Sequence, residues 1–178
     1  MAFVNQFQAT QFAPRKLKTL QVLCQECVQE IGDLFVPLAG VTDLDDIESI
    51  AIEPVDNPMI LTTQVLPGKV VNIGVVPALL EVELEGEEDT IEIPVQVPFQ
   101  GEVVCPGIMP GEPINVQKHD IQLEGLVTAA FLQAAVDAAG AVTQTATIIV
   151  KAVVRACVIV SREELLKINA ASQFCPCP

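Results

Sequence analysis

The sequence contains no tryptophan, no tyrosine and only one histidine, His119. Ligand pockets and single-stranded nucleic-acid platforms depend on aromatic faces, so this composition gives little support to either. A single histidine also makes a histidine-based metal site or a hydrolytic triad hard to build. We therefore expect a protein that is not an enzyme, with no cofactor and no metal.

Basic residues are scarce as well, with 9 lysines and arginines against 23 aspartates and glutamates, for a net charge of -14. Three of the nine, Arg15, Lys16 and Lys18, lie within the first twenty residues. From residue 21 to residue 137 there are only Lys69 and Lys118. A polyanionic ligand would be repelled, so we expect no nucleic-acid partner.

Long uninterrupted hydrophobic runs are also lacking. The most apolar stretch, residues 142–160, is broken by Lys151 and Arg155 and alternates in polarity, which is not the pattern of a membrane helix. The first twelve residues are polar and glutamine-rich, without the basic and apolar segments of a secretory signal. We expect no membrane association and synthesis without a signal peptide.

What the sequence has in quantity is strand-forming residues. Hydrophobic residues make up 51% of the chain, and its 13 prolines disfavour long helices. Residues 80–84 alternate apolar side chains with glutamates, and every even position of 146–160 is Ala, Ile or Val. These patterns predict an all-β fold, an antiparallel β-sandwich or barrel-like domain over 20–165. An extended N-terminal arm (1–19) and a cysteine-containing C-terminal tail (166–178) flank it.

Four local signals lead to narrower predictions. Pro94 interrupts an alternating run and predicts an edge strand or a bulge. Residues 43–47 predict a turn or short helix. Ser161 and Glu164 have the spacing of a capping box and predict the start of a short helix. The acidic stretch 81–92 is typical of a solvated strand face and turn, rather than of a calcium site.

The six cysteines are concentrated near the chain ends. Cys24 and Cys27 form one cluster and Cys175 and Cys177 the other. Because terminal sulfurs can reach a neighbouring molecule, we favour intermolecular disulfides between one subunit's tail and the Cys24–Cys27 region of another. Cys157 is a further candidate.

Other uses of the cysteines stay open. The pair Cys24 and Cys27 has the spacing of a thioredoxin-like redox motif, although the expected strand–helix–strand context is missing. Both terminal pairs together could form a four-cysteine zinc site, or the thiols could simply be free and reduced. For Cys105, burial as a small apolar side chain is the default interpretation.

The order of several motifs resembles one known family. A Leu-Pro-Gly-Lys-Val turn at 66–70 is followed by Val-Pro-Phe at 97–99, Pro-Gly-Ile-Met-Pro-Gly at 106–111 and Ile-Ile-Val-Lys-Ala-Val-Val at 148–154. Together they resemble the SPOCS domain (DUF3794), a β-rich module of spore coat and spore-associated proteins of endospore-forming Firmicutes. The resemblance supplies no catalytic residues. It implies a location in the spore's outer layers, namely coat, exosporium or appendage, after synthesis in the mother cell.

Two functions compete on this basis. The first is a structural subunit that assembles with copies of itself into a spore-surface fibre or lattice by strand or arm exchange and intermolecular disulfides. Its Ala- and Val-rich region 121–160 would supply the interface. The second is a non-enzymatic adaptor that docks other spore coat or exosporium proteins.

Overall fold

The chain folds as one antiparallel sheet, described here from a computed structural model covering residues 12–87, 89–136 and 142–171. The described residues contain no helix. Seven strands follow one another along these described ranges: β1 Phe12–Pro37, β2 Ile47–Pro54, β3 Met59–Leu66, β4 Lys69–Leu84, β5 Ile91–Val104, β6 Ile114–Val136 and β7 Val142–Ala171. The prediction of an all-β, sandwich-like domain is confirmed.

The strands lie in the order β2-β4-β5-β1-β7-β6, and β3 pairs with β4 beside β2. β1 and β5 share a single register pair, Ile31 with Gln100, whereas β1 and β7 pair almost throughout. The sheet therefore folds over at the β1–β5 crossing, and its two halves face each other. The sheet remains open, with β2 and β3 as its outer strands on one side and β6 on the other.

The main core fills the space between the two halves. The even-numbered residues of β7 from Ala146 to Val160 are all fully buried, as their alternation predicts. In the main core they pack against apolar residues of β4, β5 and the segment after β1, among them Val76, Leu80, Val82, Val97, Phe99, Leu38 and Val41. Val158 and Val160 belong to a second cluster with Val70, Val103, Cys105 and Ile108.

Glycine permits the close approach at the crossing. A Cβ atom at Gly32 of β1 would overlap the backbone carbonyl oxygen of Pro98 in β5. At Gly74 of β4, a Cβ atom would overlap the ring of Phe99, which is buried over that position. Only residues without a side chain allow the strands to come this close.

The local predictions have different outcomes. Pro94 lies where β5 has β4 as its one described neighbour, which agrees with an edge position for a residue that lacks an N–H group. Residues 44–46 form a bend and turn, as expected. The helix start at Ser161 is wrong: Ser161 lies inside β7, pairs with Val22 on one side and Asn115 on the other, and is buried. Pairing on both sides outweighs the local capping signal.

The predicted boundaries of the arms also change. Residues 12–19 belong to β1 and pair with β7, and β7 itself continues to Ala171. The N-terminal segment 12–19 and the start of the C-terminal tail are therefore the two ends of one strand pair. Residues 1–11 and 172–178 lie outside the described part of the chain. Residues 137–141 lie outside it as well, between the end of β6 at Val136 and the start of β7 opposite it at Val142.

The crossing can be tested with one substitution. We expect Gly32→Ala to lower the free energy of unfolding by about 1–3 kcal/mol, because the methyl group must displace the β5 backbone. Gly125→Ala in β6 is the matched control, since a Cβ atom there meets nothing within 4 Å. It should change stability by less than about 0.5 kcal/mol. Equal stabilities of the two variants in denaturant titrations would contradict the close approach.

Candidate functional site

Two disulfides lie within the described part of the chain and fasten β1 to the rest of the sheet. Cys24 in β1 is bonded to Cys105, just after β5, across a sequence separation of 81 residues. Cys105 is fully buried in the second apolar cluster, next to Ile108. This bond ties the middle of β1 to the opposite half of the sandwich, with which β1 has a single described strand-register pair, Ile31 with Gln100.

The second disulfide joins Cys27 to Cys157 in β7, its direct cross-strand neighbour. Cys27 and Cys24 point to opposite faces of β1 because they are an odd number of residues apart. The two sulfurs of the Cys-x-x-Cys motif therefore have different partners on different faces. Closing chain loops of this length stabilises a fold by about 2–4 kcal/mol in typical cases, chiefly by restricting the unfolded chain.

These pairings differ from the predicted use of the cysteines. Cys24, Cys27 and Cys157 are bonded within one molecule, so in this structure they are neither links to a neighbouring subunit nor ligands of a zinc ion. Sequence reasoning missed Cys105 as a partner, since nothing local distinguishes it from an ordinary buried cysteine. Cys175 and Cys177 lie outside the described residues, and their role in intermolecular disulfides stays a prediction.

A two-stranded extension projects beyond the body of the sheet. β6 last pairs with β7 at Arg162, whose guanidinium forms an ion pair with Glu112. Beyond that point, residues 12–20 of β1 and 163–171 of β7 have only each other as described neighbours. We call this pair of segments the ribbon. Both of its outer edges present backbone N–H and C=O groups without a strand partner in the described part of the chain.

The ribbon also exposes apolar side chains. Leu20 is 48% exposed and Leu165 63% exposed, while Leu17 and its cross-strand neighbour Leu166 are exposed on the other face. Isolated two-stranded ribbons are marginally stable in water, and open apolar edges promote pairing with other chains. The ribbon is therefore the part of the described structure best suited to receive a partner.

Charge is distributed unevenly between the ribbon and the opposite end of the molecule. Lys16 and Lys167 are direct cross-strand neighbours on the ribbon, and neither forms an ion pair with a described residue. At the far end, the described residues of the β4–β5 hairpin include six carboxylates between positions 81 and 92, which we call the acidic pole: Glu81, Glu83, Glu85, Glu87, Asp89 and Glu92. The molecule thus has a basic and an acidic end.

A buried polar cluster lies at the crossing. The Glu30 carboxyl of β1 is fully buried against Gly101, in the space that a larger residue there would fill. The Asn72 side-chain amide donates to Glu30 Oε1 at 3.0 Å, and the Thr63 hydroxyl donates to Asn72 Oδ1 at 2.9 Å. Glu30 Oε2 has no hydrogen-bond partner among the described residues. Burial raises the pKa of Glu30, and the Asn72 hydrogen bond offsets part of that rise.

The described residues hold no group of three or more His, Cys, Asp and Glu side chains that could bind a metal ion. His119 lies within β6, opposite Cys157. The acidic stretch 81–92 forms the end of β4, a turn and the start of β5, and its described glutamates are exposed or half-exposed, as predicted for a solvated face. Among the described residues there is no helix of the length and hydrophobicity that a membrane span requires.

Comparison with known proteins gives no relatives: no family model, curated protein or solved structure matches this chain. The resemblance of residues 61–160 to the SPOCS family therefore stays a prediction.

The buried carboxyl leads to a prediction about pH. Because the pKa of Glu30 is raised in the folded protein, the unfolded chain releases this proton at a lower pH than the folded one. The Glu30 contribution therefore becomes less stabilising as the pH rises. We expect Glu30→Gln to gain stability relative to the native protein between about pH 4 and about pH 7.

Urea titrations at several pH values measure this difference. Glu26→Gln, which removes an exposed carboxyl of the same strand, is the control for losing one negative charge. A stability difference between Glu30→Gln and the native protein that stays constant over this pH range would contradict the interpretation of the buried cluster.

Proposed function

We propose that this protein is a non-enzymatic structural subunit that assembles with copies of itself into a fibre or lattice on the spore surface. The observation that carries the proposal is the ribbon, a strand pair with two open edges and exposed leucines outside an otherwise closed core. Strand addition to such an edge gives many backbone hydrogen bonds without a preformed pocket. The spore location rests on the motifs that resemble the SPOCS family.

The ribbon replaces region 121–160 as the proposed interface. Within that region, the even-numbered face of β7 is already buried in the chain's own core. β6 is left with an open edge and exposed side chains such as Val127, which is 60% exposed. This edge is the competing interface, and a substitution there can be compared directly with one on the ribbon.

In this proposal, some disulfides stabilise the subunit and others link one subunit to the next. The bonds of Cys24 and Cys27 hold the subunit together, and only the tail cysteines, Cys175 and Cys177, are proposed to link subunits. The adaptor alternative uses the same ribbon, but with another coat or exosporium protein as the partner. A subunit predicts large assemblies from the purified chain alone, whereas an adaptor predicts a small, discrete particle.

The ribbon interface is tested by replacing one exposed leucine. We expect Leu165→Lys to reduce the yield of sedimentable assembly by at least about tenfold, because a charge in a packed interface is costly. Val127→Lys makes the same kind of change at a residue of similar exposure and should assemble like the native protein. Negative-stain images and sedimentation of the purified proteins measure the outcome.

Two results would count against this interface. If Val127→Lys blocks assembly and Leu165→Lys does not, the contact lies along β6. If the native protein remains monomeric at every concentration, self-assembly itself is wrong and the adaptor becomes the better account. Circular dichroism of both variants verifies that the body of the sheet has folded.

The tail cysteines have their own prediction. On non-reducing gels, air-oxidised native assemblies should give high-mass bands that collapse to about 19 kDa on reduction. The variant Cys175→Ser/Cys177→Ser should give only the monomer band, with the body disulfides unchanged in peptide mapping. High-mass bands that persist in this variant would show that other sulfurs form the links.

A further inference from the structure

The geometry points to a head-to-tail contact in which the ribbon of one copy docks on the acidic pole of the next. This inference rests on the proposed self-assembly and specifies which two surfaces meet. Such a contact uses two different patches of the same molecule, so repeating it generates an open fibre rather than a closed dimer.

The ribbon and the acidic pole lie far apart along the length of β1. β1 spans 26 residues from Phe12 in the ribbon to Pro37, about 85 Å of strand at about 3.3 Å per residue. The acidic β4–β5 turn lies at that far end, where the Glu85 N–H donates to the Asp46 carbonyl. The Leu38 N–H, just past the end of β1, donates to the Ala146 carbonyl near the start of β7. Ribbon and acidic pole are therefore at opposite ends of the β1–β7 pair.

Each end of the molecule places like charges side by side. Lys16 is directly opposite Lys167 on the ribbon, and Glu81 is directly opposite Glu92 at the acidic pole. Like charges in direct cross-strand positions destabilise a sheet. In an isolated molecule both pairs are unfavourable, whereas bringing the lysine pair of one copy to the glutamate pair of another offsets both.

Both surfaces also carry apolar side chains. Direct cross-strand neighbours share a face, so one face of the ribbon presents Lys16, Lys18, Leu20, Glu163, Leu165 and Lys167. The lysines lie toward its tip, and the exposed Leu17 and Leu166 lie on the opposite face. The ribbon tip, residues 12–18 and 165–171, contains four basic residues and no acidic one.

An apolar cavity lies beside the acidic pole. A cavity of about 490 Å³ opens between the turn after β1 and the β4–β5 hairpin, lined by Pro37, Leu38, Val41, Leu84, Ile91 and Ile93. Glu87 lies at the same cavity. Leu84, Ile91 and Ile93 lie on the face of the hairpin opposite Glu81 and Glu92, and on the ribbon Leu17 and Leu166 lie on the face opposite Lys16 and Lys167. With the ribbon beside the edge of the hairpin, its leucines can contact this cavity on one face while the lysine pair reaches the glutamate pair on the other. Apolar contact then supplies affinity, and charge selects the partner surface.

A second copy of this chain is the occupant that the charges favour. The chain has an excess of 14 negative charges, and a contact between two identical acidic surfaces would be repelled. The basic ribbon tip is the part of the molecule that complements the acidic pole. A contact between two ribbons would instead place four lysines of two copies together.

Reversing the charges at each end of the molecule tests the contact. The deciding result is whether the two reversed variants assemble when they are mixed. Lys16→Glu/Lys167→Glu and Glu81→Lys/Glu92→Lys should each reduce sedimentable assembly at least about tenfold, because each places like charges at the contact. Mixed in equal amounts, the two variants should assemble again, since every ribbon then meets a pole of opposite charge. Glu26→Lys/Glu124→Lys, exposed and at neither end, matches the charge change of the pole variant and should assemble normally.

Each other outcome would overturn the inference. If both charge-reversed variants assemble like the native protein, or if only the ribbon variant fails to assemble, the ribbon docks on a surface other than the acidic pole. In both cases the proposed self-assembly still stands. Failure of the mixture to assemble, with both variants folded by circular dichroism, rules out this pairing of surfaces. A native protein that never assembles removes the proposed function and this contact together. Assembly by the native protein should also weaken as salt rises from about 0.05 M to about 0.5 M.

Discussion

The pairing of β1 with β7 is the interaction on which the rest of the structure depends. It runs from Phe12 opposite Ala171 to Pro37 opposite Thr147, with one register shift between Val22 and Cys24. A slip of one residue would turn the buried face of β7 to solvent, because side chains alternate along a strand. The Cys27–Cys157 bond fixes this register covalently. The core, the crossing with β5 and the ribbon all follow from the same strand pair.

The β1–β7 pair has different neighbours in the body of the sheet and in the ribbon. In the body, β7 is flanked by β1 and β6, buried on one face and crosslinked to β1, so its backbone groups have partners within the chain. In the ribbon, the pair continues without flanking strands or a covering layer, and its leucines are exposed. Strand addition between subunits requires a folded body from which a strand pair with unpaired backbone N–H and C=O groups projects. The disulfides stabilise the body and leave the ribbon edges open.

The sequence predicts the all-β class and the buried face of β7, because alternation over residues 146–160 is a local pattern that directly reports burial. It does not predict which distant cysteines meet: the bond between Cys24 and Cys105 depends on the fold-over of the sheet, which no local pattern encodes. The helix start predicted at Ser161 is wrong for a related reason, because strand pairing outweighs a local capping signal. The basic cluster at residues 15–18 was visible in the sequence, but only the strand register places Lys16 opposite Lys167.

Hydrogen–deuterium exchange of the ribbon, in dispersed and in assembled protein, tests the central claim most directly. Amides of residues 12–20 and 163–171 that point to the outer edges should exchange quickly in the dispersed subunit. On assembly they should become protected, while amides within the core of β7 remain slow in both states. Unchanged fast exchange of the ribbon amides in assembled protein would contradict the claim that the ribbon forms the contact between subunits.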